Sequence, residues 1–238
     1  MNLKLLNFKL QNNKFMATFS NAKVNNLFWL GRYVQRVYLI LHFMRKYRDE
    51  VIDRDDDKDA YKRFCIRAGI ANTYSSNEDF LHHYLYDSSN PVSLITALSN
   101  ADNNATLLRE EIKSESFAYI QMAICHIERT SQEADVEALQ MVTDCMLAFW
   151  GSLDERMNKG EARSLIKAGK YLENLDLFLR FDYPHDRLLY ILENFEWHAE
   201  KEKAVFDQIL LFQLRKELER KDFNKTKLLE MISKIFIV

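Results

Sequence analysis

Glycine and proline are nearly missing from this chain, with 5 and 2 copies in 238 residues. Tight β-turns and breaker-rich loops draw on these residues. Their scarcity argues against all-β and α/β architectures and favours long helices. Cysteine is also scarce. Cys65, Cys125 and Cys145 are odd in number, far apart and set among apolar neighbours, so they imply no disulfide framework and no CxxC site, and read as buried free thiols. Neither sign of charge dominates. With Lys+Arg 33 against Asp+Glu 35, nothing suggests a general affinity for nucleic acid or acidic lipid. Long hydrophobic runs are missing too: Val37 to Leu41 ends at His42, far short of a bilayer span. The stretch from Met1 to Phe15 lacks the apolar core and cleavage site of a secretory leader. A cytoplasmic protein without a membrane or nucleic-acid partner is the expectation.

Several chemistries lack their signatures. No GxxxxGK[ST] or GxGxxG loop is present to cradle a phosphate. The acidic run from Arg54 to Asp59 lacks the Gly and the bidentate Glu that an EF-hand loop needs. A di-iron bundle needs two Glu-x-x-His pairs. Here only Asp79-x-x-His82 and Asp182-x-x-His185 come near that spacing, and Pro184 breaks the second. No metal and no cofactor are therefore expected. Cys125 and His126 are adjacent on a helix and do not face each other as nucleophile and base would. His82 and His83 read as surface histidines.

What the chain does have is apolar residues at helical spacing. Residues 1–19 read as a short strand or a frayed helix. Ser20 then caps a long helix from about Asn21 to about Asp53, followed by the solvated acidic connection. Further helices are predicted over 57–70, ending near Gly69, and over 78–87, capped by Asn77. After Ser88-Ser89-Asn90-Pro91, with Pro at the first helical position, a helix of 91–111 follows. The next starts at Ser114 and runs to Arg129. The chain turns near Ser131, and Val136 to Phe149 mark a helix ending close to Gly160. A helix over 161–181 stops at Asp182-Tyr183-Pro184, because the residue before Pro is pushed out of helical geometry. Two or three helices complete the tail, over 185–203, 203–221 and 224–236. Glu196, His198, Glu200, Lys201 and Lys203 read as a solvated helix face, and the apolar end Ile235-Phe236-Ile237-Val238 is expected to dock on the body.

Two of these helices carry one pattern. Leu30-Gly31-Arg32-Tyr33-Val34-Gln35-Arg36 aligns without a gap over Ala168-Gly169-Lys170-Tyr171-Leu172-Glu173-Asn174. Positions 32, 35 and 36, like 170, 173 and 174, fall on one helical face, and apolar flanks point that face into a bundle. Gly inside a helix costs about 1 kcal/mol relative to Ala, so a Gly at the equivalent place in both copies suggests a close backbone approach of Gly31 to Gly169. An arginine buried without a partner is costly, and Arg36 facing Glu173 across a pseudo-twofold is the simplest remedy. The stripe reads either as buried ion pairs that set helix register or as a ligand-binding cluster.

Trp-Leu-Gly-Arg-Tyr-Val-Gln-Arg resembles the signature of the alpha-E family, helical bacterial proteins marked by a Glu-Arg pair in a Gly-Arg-Tyr-Leu-Glu-Arg-like helix. Asn90-Pro91 with Ala101 to Glu110, and Phe149-Trp150-Gly151 ahead of the second copy, extend the resemblance over residues 17–180. Against that pattern Gln35 stands for Glu and Asn174 for Arg, and Asp102, Asn103 and Thr106 replace charged residues of the central helix. If each family Glu pairs with the Arg of the opposite copy, this chain keeps Arg36 with Glu173 and neutralises the other pair as Gln35 with Asn174. Losing both partners costs less than losing one. Family members are encoded beside, or fused to, ATP-grasp-type ligases and transglutaminase-like peptidases. The resemblance thus implies a role in peptide or amide-bond formation.

Together these readings predict an all-α helical bundle with two pseudo-symmetric long core helices. An extension over 1–19 precedes an alpha-E-like domain over 20–182, and helices over 183–238 pack on it. The expected function is a non-catalytic accessory or partner of an ATP-grasp-type ligase, with a transglutaminase-like peptidase as a further partner and a homo-oligomer compatible with it. The alternative is an enzyme, or a protein binding a small anionic ligand, that uses a polar cluster of Arg32, Gln35, Arg36, Asn104, Arg109, Glu110, Lys170, Glu173, Asn174 and Asp176.

Overall fold

A computed structural model describes residues 19–53, 57–130 and 136–238. Of the described residues 78% are helical, in eleven α-helices and a 3-10 turn, and none of them forms a β-strand. Helix α1, Asn21–Asp53, runs 33 residues without a break, since it contains no proline and tolerates its single glycine. Ser20 caps it as expected, its hydroxyl accepting from Lys23 N at 3.2 Å. Helix α2, Ala60–Ala68, ends at Gly69, whose φ of 68° is the left-handed conformation that only glycine adopts freely. The expectations for residues 1–18, for Arg54 to Asp56 and for the turn at Ser131 lie outside the described residues.

Two predicted helix starts are corrected. Helix α3, Asn77–Tyr86, is capped by Ser76, which accepts from Asp79 N. Asn77 is the first helical residue instead. Its side chain accepts from Tyr47 OH at 2.8 Å and donates to the Asp57 carbonyl at 2.9 Å. Helix α4, Leu94–Leu107, begins after Ser93, not at Pro91; the Ser93 hydroxyl accepts from Thr96 N, which Pro91 could not do. The predicted helix over 91–111 also breaks at Leu108 (φ −107°, ψ 13°), leaving a short α5, Arg109–Ile112. Lys113, at φ 69°, turns the chain into α6, Ser114–Thr130. Helix α7, Gln140–Arg156, follows and lies antiparallel to α6. At one end Ser116 Oγ donates to Ser152 Oγ (3.0 Å), and at the other His126 Nε2 lies 2.6 Å from the Ala138 carbonyl.

Helix α8, Glu161–Arg180, carries the second glycine motif, and Asp182 at φ 54° ends it just before Pro184. The tail is α9, His185–Ala199, a 3-10 turn over Glu200–Val205, α10, Gln208–Leu218, and α11, Lys225–Lys234. Asp207 and Asn224 cap the last two through their side-chain oxygens.

The described chain divides into two compact units. The first comprises 19–31, Lys159–Leu179 and Tyr183–Val238, and the second Arg32–Asn158 with Arg180–Asp182. In the first, the apolar C-terminus docks: Phe206 and Phe236 form an antiparallel bridge. Asp207 N donates to Ile235 O at 2.9 Å and Ile237 N to Val205 O at 3.0 Å. Phe236 stacks on Phe28 with ring centroids 3.9 Å apart. In the second, Phe43 stacks on Phe181 at 3.8 Å, and Phe64 packs against Phe181, Phe80 and Tyr84. Burial of such rings supplies about 2 to 3 kcal/mol each.

Candidate functional site

Gly31 is tightly enclosed by backbone. A methyl group placed on it would lie 1.9 Å from the Ile166 carbonyl oxygen and 3.1 Å from Lys170 N. α1 and α8 therefore meet backbone to backbone at Gly31, where the atoms closest to it belong to Ile166 and Lys170. On α1, Arg32 is 7% exposed and Gln35 4% exposed. Arg36 is half-buried, with its guanidinium 5.5 Å from the Tyr33 ring centre. On α8, Glu173 is 1% exposed, and Lys170, Asn174 and Asp176 are half-buried. Every one of these seven side chains engages a partner. Arg32, Gln35 and Arg36 belong to the second unit; Lys170, Glu173, Asn174 and Asp176 belong to the first.

The remaining members of the predicted cluster stand differently. Asn104 is half-buried on α4, but Arg109 and Glu110 are exposed on α5. The break at Leu108 turns them out of the α4 register. In their place the α4–α6 contact is polar at Asp102, which accepts from Gln121 Nε2, while burial pushes its carboxyl upward.

The second unit also has an open cleft of about 590 Å³, lined by Tyr74, Asp79, His83, Asp87, Asn90 and Pro91 among others. Asp79 accepts from Ser75 N (2.7 Å) and Oγ (3.0 Å), and Asp87 from Ser89 N (2.8 Å) and Oγ (2.6 Å). These bonds hold both carboxyls below their usual range. His83 Nδ1 lies 2.9 Å from both the carbonyl and a carboxylate oxygen of Asp79. The cleft holds none of the motif residues, and its charge suits a cation, not the anion that the arginine stripe suggests. Its carboxylates are already committed to ordering their own loops. Among the described residues, no three His, Cys, Asp or Glu side chains are grouped to hold a metal.

A family model, Alpha-E, described as a predicted alpha-helical domain with a conserved ER motif, matches residues 23–205. This chain belongs to the Alpha-E family. The match begins inside α1 and ends at Val205, and so includes both glycine motifs. In this Alpha-E protein the first glycine motif reads Gln35-Arg36 and the second Glu173-Asn174, so neither carries an adjacent Glu-Arg pair. No curated protein and no solved structure matches the chain.

Two surface features depart from the sequence reading. Cys65 and Cys145 are buried free thiols, but Cys125 is exposed. The run Glu196 to Lys203 is not one solvated helix face. Its helix ends at Ala199, Glu196 pairs with Arg215, and Glu202 is buried. In sequence, Glu202 is one acid among alternating lysines and gives no local sign of burial.

Proposed function

We propose that this Alpha-E protein is a non-catalytic helical partner of an ATP-grasp-type amide or peptide ligase. It would act in the cytoplasm, where such a ligase finds its ATP and where thiols such as Cys65 and Cys145 stay reduced. The supporting observation is the burial of the motif. Arg32 and Glu173 are 7% and 1% exposed and already engaged. Charges buried this deeply must be paired internally, since removing one partner of a buried ion pair costs about 3 to 5 kcal/mol. They serve helix register before they serve a ligand. A helical surface is what a partner protein needs, and it requires no reactive group.

The test is affinity purification of the tagged chain from its native host, with bound proteins identified by mass spectrometry, followed by reconstitution. A ligase recovered in near-stoichiometric amount, whose ATP-dependent amide formation changes when the chain is added, is the expected result. A transglutaminase-like peptidase could accompany it. ATP consumption or amide formation by the purified chain alone would overturn the reading.

A further inference from the structure

Glu202 lies in the 3-10 turn after α9 and is 2% exposed. Neither of its carboxyl oxygens has a hydrogen-bond partner among the described residues. Native interiors rarely leave such a group unsatisfied. Its backbone, at φ −127° and ψ 44°, departs from helical values and interrupts the turn. Its neighbours Lys201 and Lys203 are exposed while Glu202 is buried.

The charged groups that act on Glu202 come from two elements. Glu161, at the start of α8, disfavours its ionisation, and Lys201, in the same turn, favours it. Lys201 is itself drawn aside, its ammonium 3.2 Å from the Trp197 ring centre, and Arg163 and Lys159 add like charge around it. Among the described residues no cation is hydrogen-bonded to the Glu202 carboxylate. Burial first and Glu161 second push its pKa up to about 8, so at neutral pH the folded chain holds this side chain as the neutral acid.

The turn that buries Glu202 also anchors the C-terminus. Val205, three residues on, accepts from Ile237 N, and Asp207 N donates to Ile235 O. An ionised Glu202 has no internal partner and gains stability only by reaching water, which requires the turn to move. We infer that Glu202 is a proton-controlled latch: loss of its proton draws the Glu200–Val205 turn outward and releases Ile235–Val238 from Val205–Asp207, uncovering Phe28.

The direction follows from the two states. In the released state Glu202 meets water and ionises near the ordinary 4.5; in the latched state it ionises near 8. The latch is therefore tightest below the lower value. Release grows more favourable by about tenfold per pH unit between the two values and levels off above the higher one. The inference does not rest on the ligase partnership.

Amide hydrogen exchange of the full chain tests it, read as protection factors at Asp207 and Ile237 between about pH 6 and pH 9. In the native sequence both factors should fall by about tenfold per unit until the plateau, whereas in Glu202→Gln, which cannot ionise, they should stay level. Amides of α6 should show no such fall in either protein. Equal profiles in the two proteins, or a parallel fall in α6, would overturn the latch. Titration of the Glu202 carboxyl carbon by NMR needs no variant: a midpoint near 8 supports the proposal and one near 4.5 refutes it.

Discussion

Replacing Gly31 by alanine should destabilise the protein, although alanine is the better helix former. The added methyl would meet Ile166 O at 1.9 Å, Ile166 C at 2.8 Å and Lys170 N at 3.1 Å. All three are backbone atoms of α8, so no rotamer change relieves the clash. A carbon and a carbonyl oxygen rest at about 3.3 Å or more, so the two backbones must separate by more than about 1 Å locally. Overpacking of this kind costs about 1 to 3 kcal/mol and sometimes more, and a wholly backbone clash belongs at the upper end. The helix-propensity gain returns about 1 kcal/mol, leaving a net loss of about 2 kcal/mol, or a fall in Tm of about 4 to 8 °C at this chain length. Gly151→Ala is the control. Gly151 lies inside α7 with nothing within 4 Å of an added methyl, so the same substitution should stabilise by up to about 1 kcal/mol. Urea denaturation followed by far-UV circular dichroism measures both. A Gly31→Ala protein as stable as the native one would refute the close approach of α1 and α8.

Other substitutions test separate parts of the structure. Gly69→Ala should cost about 1 to 2 kcal/mol, because φ is 68° and a side chain strains there; its methyl would also meet Arg180 Nη1 at 2.2 Å, pushing that side chain off the Ala68 carbonyl. A denaturation midpoint unchanged from the native protein would count against both effects. In the folded protein Cys125 should react with a thiol reagent, while Cys65 and Cys145 should react only after unfolding. Cys65 is protected twice, since burial also pushes its thiol up to about 11; rapid labelling of Cys65 in native conditions would contradict this. The Glu217 carboxyl is held below its usual range by Lys227 and by the Asn224 amide. It therefore contributes stability that is present above the unfolded-state value and is lost as pH falls through the folded one. Glu217→Gln should flatten that acid limb of the stability profile, and an unaltered limb would show that the contacts add nothing.

How much of this was legible in the sequence depended on whether the decisive interaction was local. The length of α1 was legible, because a Pro-free apolar stretch behind Ser20 has no alternative to helix, and the observed bounds are Asn21 and Asp53. The tight approach at Gly31 was legible too, because a glycine inside a helix costs stability unless a neighbouring backbone needs its space, and α8 fills that space. The start of α4 was harder. Pro91 and Ser93 both signal a helix start, and Ser93 wins because its hydroxyl satisfies an amide of the first turn. The break at Leu108 had no glycine or proline to announce it, and Arg109 and Glu110 beyond it are exposed. Glu202 was the least legible of all. Between Lys201 and Lys203 it has the composition of a solvated turn. It is buried all the same, in a turn whose Val205 carbonyl holds Ile237, more than thirty residues further along the chain. Sequence periodicity records which face of one helix is apolar, but it carries no record of which distant segment returns to cover a turn. A buried acid of this kind is therefore invisible until the chain is folded.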